Sequence, residues 1–156
     1  MTDPYDGVVG VFTAICRRIE QVGFSTLTEP EKVIFCAWQF VCEVNNGGVR
    51  QYFANSSGEF AAETVSALEE VGMPRAAGIL RRAVATFADH KVPRDHDVRF
   101  RSLKAMPVAI RDEMIHALTC DFFASPEDPY QLQWDYITRH SQDLPAPCPR
   151  KYLDTF

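Results

Sequence analysis

Apolar residues return every three or four positions along most of the chain, the period of one face of an α-helix. Val8, Phe12, Ile15, Cys16, Ile19 and Val22 trace a first helix, and Gly23 follows where a left-handed C-terminal residue is wanted. Thr28-Glu29-Pro30-Glu31 has the form of a capping box, with the Thr28 hydroxyl facing the Glu31 N–H and Pro30 tolerated in the first turn. It opens a second helix through Val33, Ile34, Ala37, Trp38, Val41 and Val44, which Asn45-Asn46-Gly47-Gly48 is expected to end. Residues 49–55 then make about two further helical turns.

Ser56-Ser57-Gly58-Glu59 offers a second capping box ahead of Phe60, Ala61, Thr64, Val65, Leu68 and Val71, and Gly72 stops that helix. Pro74 starts the next, with Ala77, Leu80, Ala83, Val84 and Phe87 facing inward. The period weakens from His90 to Pro107, so 90–107 reads as an irregular connection with at most a short helical turn. It returns over Val108 to Phe123, and Ser125-Pro126-Glu127-Asp128 caps a last helix carrying Leu132, Tyr136 and Ile137. Pro145, Pro147 and Pro149 make 144–156 an extended tail. The fold predicted is all-α: one compact domain over 1–156, of about six or seven helices.

Composition adds a class and a compartment. A chain of 156 residues, 46% of them hydrophobic, can bury a core without a metal or a disulfide. Five cysteines form no C-x-x-C pair, and the first four, Cys16, Cys36, Cys42 and Cys120, sit in apolar helical stretches where a thiol behaves as a small hydrophobe, which points to a reducing cytoplasm. No signal peptide or membrane-length apolar run is visible. A net charge of -5 argues against general affinity for nucleic acid or anionic lipid.

Charge is unevenly spread along the chain. Residues 1–73 carry ten acidic and four basic groups, 74–111 nine basic and three acidic, and 112–156 eight acidic and three basic. Pairing of these blocks within the fold is the ordinary expectation, and opposite surface poles are the alternative.

Candidate chemistry is sparse. Asn45, Asn46, Gln51 and Tyr52 surround a helix terminus with uncharged donors and acceptors; they form either a polar pocket or a set of caps with Tyr52 in the core. Glu113 and His116 have the Glu-x-x-His spacing of di-iron bundles, but only once, so His116 reads as a buried, hydrogen-bonded side chain. His116 and Cys120 supply at most half of a zinc site, and Asp95-His96-Asp97 reads as solvated loop. No nucleophile elbow, P-loop or dinucleotide fingerprint occurs, so no catalytic residue, metal or cofactor is assigned. Glu59, Glu63 and Glu70 share one side of a predicted helix, where carboxylates form either a solvated face or a row imitating phosphates.

The run Val44-Asn45-Asn46-Gly47-Gly48-Val49-Arg50-Gln51-Tyr52-Phe53-Ala54-Asn55, followed by Ala67-Leu68-Glu69-Glu70-Val71-Gly72, resembles a bacterial family of largely unknown function. Its best-described member is a DNA-mimic protein that binds a transcriptional repressor. The resemblance implies a helical homodimer without cofactor or catalysis, whose acidic face engages a basic protein partner in place of DNA. Glu59, Glu63, Glu69 and Glu70 are the residues expected to form that face. Two alternatives remain open: a small-molecule-binding domain or enzyme with its pocket at the Asn45 to Tyr52 corner, and an immunity or antitoxin-like protein. The mimic reading requires that the four glutamates are not neutralised by the arginines between Arg75 and Arg111.

Overall fold

The computed structural model describes residues 3–149. Among them the chain forms seven α-helices and no strand: α1 (Pro4–Val22), α2 (Glu29–Ala54), α3 (Ala61–Glu70), α4 (Pro74–Val84), α5 (His96–Ala105), α6 (Ile115–Phe123) and α7 (Pro129–Arg139). None is long and apolar enough to cross a membrane. The all-α expectation is met.

Local chemistry sets most of the boundaries. Thr28 and Glu31 make both bonds of the capping box, Thr28 Oγ1 accepting from the Glu31 N–H at 3.3 Å and Glu31 accepting from the Thr28 N–H at 2.8 Å. Glu31 is buried by this arrangement, and its second oxygen meets Arg18 at 3.0 Å. At the end of α3 the Gly72 and Met73 N–H groups return to the carbonyls of Glu69 and Leu68, a Schellman-type close. Pro74 occupies the first turn of α4.

Other boundaries depend on distant partners. Asp128 alone caps α7, accepting from the Tyr130 and Gln131 N–H groups, each at 3.0 Å. Its neighbour Glu127 turns away and caps α4, accepting from Arg75 N–H at 2.7 Å and Ala76 N–H at 3.1 Å. The box expected at Ser56 does not form: Ser56–Phe60 is a 3-10 turn, and the Ser57 hydroxyl donates instead to Glu43 at 2.6 Å.

Helix α2 lies at the centre and packs on α1, α3, α5, α6 and α7. Ile34, Ala37, Phe40, Val41 and Val44 are buried along it, each large aliphatic or aromatic chain contributing about 1.5–3 kcal/mol. Phe40 makes edge contacts with Tyr52, centroids 5.1 Å apart, and with Phe122 at 5.9 Å. As expected, the Asn-Gly-Gly run breaks the helical path: the backbone is non-helical at Gly47 and Gly48, and α2 consists of two helical halves joined by a kink there. Gly48 adopts φ 81, a conformation that costs little only for glycine, and a Cβ there would lie 2.9 Å from Thr119 Oγ1. The Val49 N–H released by the bend donates to Thr119 Oγ1 at 3.0 Å.

Residues 90–107 correct the expectation of an irregular connection, because α5 occupies 96–105 with Asp95 as its N-cap. Its anchor is Arg99, which is fully buried and donates to four backbone carbonyls: Phe53 at 2.7 Å, Asn55 and Pro93 at 2.8 Å, and Arg94 at 2.9 Å. The first two belong to the end of α2, whose dipole favours a cation. Gly58 leaves room for this guanidinium, since a Cβ there would lie 2.7 Å from Arg99 Nε. A π-helical segment, Ala109–Met114, leads into α6. Beyond α7 the described part of the tail is non-helical and lies on α1, with the Cys148 N–H donating to the Gly10 carbonyl at 3.0 Å; the rest of the expected tail, 150–156, lies outside the described residues.

Removing Arg99 strands four acceptors in the interior. Arg99→Met should destabilise the protein by about 3 kcal/mol in urea unfolding, and Arg99→Lys should not restore it, because an ammonium cannot span the four carbonyls. A loss below about 1 kcal/mol would contradict the anchoring role.

Candidate functional site

The four glutamates expected to meet a partner sit on the 3-10 turn before α3 and on α3 itself. Glu59, Glu69 and Glu70 are exposed and Glu63 is half-buried. They do not stand clear of the basic middle of the chain. Arg94 pairs with Glu63 and also donates to the Glu59 carbonyl at 3.4 Å, while Arg81 pairs with Glu69. The requirement that these carboxylates escape the arginines is therefore unmet for two of the four. Glu70 instead accepts from the Tyr136 hydroxyl at 3.4 Å; burial, reinforced by this carboxylate, pushes the Tyr136 phenol up to about 12. Glu59 makes no ion pair among the described residues, and its charge, with that of Asp95, opposes the lowering of the Arg99 pKa by burial.

Charge pairing across the sequence blocks is general, as Arg82 also meets Asp121 at 3.2 Å. Exposed pairs of this kind contribute about 0–1 kcal/mol each, so a partner can exchange them at small cost. Beside the glutamates lies a cleft of about 410 Å³, walled by Ala61, Val65, Val84 and Val92 and rimmed by Glu59, Arg81 and Arg94.

The four corner residues do not converge on one pocket. Tyr52 is buried, its hydroxyl 2.9 Å from Thr64 Oγ1. Gln51 donates to Glu43 at 2.9 Å, and Asn45 donates to the Tyr130 hydroxyl of α7 at 3.1 Å. Asn46 is exposed. The organising residue is Glu43, which accepts from Gln51, from Asn55 at 2.8 Å and from Ser57, and so ties both halves of α2 to the 3-10 turn. No local pattern marks it, since its three donors lie eight or more positions away.

Remaining chemistry is muted. His116 is exposed, a correction to the buried side chain expected, because the turn after the π-helical segment carries Ile115 and Leu118 into the core and leaves position 116 outside. Its Nε2 lies 3.7 Å from Cys120 Sγ, and among the described residues no three metal-ligating side chains gather. Burial pushes the Cys16 and Cys42 thiols up to about 11 and that of Cys36 to about 12, which suppresses the thiolate.

Glu43→Ala should cost about 2 kcal/mol of stability, whereas Asn46→Ala should stay within about 0.5 kcal/mol, both read by chemical denaturation. Equal effects would mean that Glu43 does not organise the corner.

The geometry thus offers a helical scaffold with carboxylates on α3 and no assembled catalytic group among the described residues. No curated protein and no solved structure matches the chain. Residues 25–140, from the turn before α2 through the end of α7, match the DMP19-like protein family, and the chain belongs to that family.

Proposed function

We propose that this chain is a non-enzymatic protein-binding domain that acts as a DNA mimic, presenting Glu59, Glu63, Glu69 and Glu70 to the basic surface of a DNA-binding protein. Membership of the DMP19-like family across 25–140 carries this reading. The physical logic is competition: carboxylates engage the lysines and arginines that would otherwise neutralise phosphates. Glu59 and Glu70 are available without breaking an arginine pair, and Glu63 and Glu69 become available when the partner's cations replace Arg94 and Arg81. The apolar cleft beside them gives a partner side chain somewhere to seat. The family resemblance also supports a homodimer working in the bacterial cytoplasm, and sedimentation equilibrium would read a mass twice that of the chain.

A DNA-binding protein captured on the immobilised chain should be released by its own duplex target. Replacing the four glutamates with Gln should weaken capture by about tenfold or more. Capture that survives excess duplex, or that is indifferent to the four substitutions, contradicts mimicry.

A further inference from the structure

Away from the glutamates, three cations gather where the second half of α2, α5 and the π-helical segment meet. Arg50, Lys104 and Arg111 line a groove of about 430 Å³ floored by Ala54, Leu103 and Phe100. It shares no lining residue with the cleft beside Glu59. Arg50 and Arg111 continue into an adjoining cleft of about 390 Å³ along Gly48 and Thr119.

One carboxylate of the chain already sits between these guanidiniums. Arg111 grips Asp112 with two bonds of 2.7 Å, and Arg50 reaches the same carboxylate at 3.5 Å. Arg111 holds the Asp112 carboxyl below its usual pKa. Lys104 has no ion pair among the described residues; its ammonium lies 4.6 Å from the centre of the Phe100 ring, which is 39% exposed. Asp112 lines the adjoining cleft and, among the described residues, is the one carboxylate paired with cations of the groove, so positive charge is in excess there by two.

We propose that this groove is a docking site for a short acidic segment of a protein partner, with Asp112 occupying the place of one of its carboxylates in the free protein. Bidentate arginine geometry suits a carboxylate, and the apolar floor suits an aliphatic side chain between two acidic ones. The overall charge of -5 disfavours a long polyanion, whose phosphates beyond the groove would face the acidic remainder of the surface. The π-helical segment places Arg111 and Asp112 side by side where the groove meets the adjoining cleft, a distortion often found at functional sites.

The test uses the full chain and a fluorescein-labelled nonapeptide of Glu and Asp with a central Leu, followed by fluorescence anisotropy at low salt. Saturable binding is expected, absent for the Gln and Asn version of the peptide and weakened by salt. Asp112→Asn removes the internal competitor and should tighten binding by about threefold or more, whereas Arg50→Glu and Arg111→Glu should each weaken it by about tenfold. Arg50 is 61% exposed, so its variant reports on binding even where Arg111→Glu disturbs the fold. No binding to wild type and Asp112→Asn alike, or an Asp112→Asn variant that binds no better than wild type, would overturn the proposal. So would a thymidine nonamer binding as tightly as the acidic peptide, which would assign the groove to nucleic acid.

Discussion

The bend at Gly48 governs the rest of the molecule. A straight α2 would present one stripe to one neighbour; interrupted at a positive φ, it turns its second half so that Tyr52 and Phe53 enter the core while Arg50 stays in solvent. The N–H released by the bend is taken by Thr119 of α6, so the break is fastened to a second helix. Glu43 then ties the first half of α2 to the turn that follows it, and Arg99 closes the helix end from α5. Each of these contacts depends on the direction α2 takes after Gly48.

Polar groups do the fastening and apolar surface supplies the bulk of the stability. Among the described residues no carboxylate lies at hydrogen-bond distance from Arg99, which is held by carbonyls that satisfy its donors in fixed directions without introducing a second buried charge. At the surface the acidic and basic blocks of the sequence meet in exposed pairs such as Arg81 with Glu69 and Arg94 with Glu63. These pairs temper the negative face of α3 and are weak enough to be exchanged.

The elements legible in the sequence are those whose determinants are local. The Thr28 and Glu31 box, the stop at Gly72 and the start at Pro74 each lie within a few residues of the boundary they set. Helix α5 escaped because it buries only Arg99 and Leu103, and apolar periodicity cannot register a helix whose anchor is an arginine. Ser57 and Glu127 carry the residue types of local caps yet serve Glu43 and α4, which only the packed structure brings near. The candidate site was legible as composition alone: the glutamates of α3 were apparent, but their pairing with Arg81 and Arg94 depends on how α4 and the following loop lie against α3.

Salt dependence probes most directly whether carboxylates stand in for phosphates. For a DNA-binding protein captured by this chain, affinity should fall with rising salt, on a shallower slope than the same protein shows for duplex DNA, because a folded domain of modest charge carries no condensed counterion layer. An affinity independent of salt would mean that the complex is held by apolar contact and that the charges on α3 are incidental.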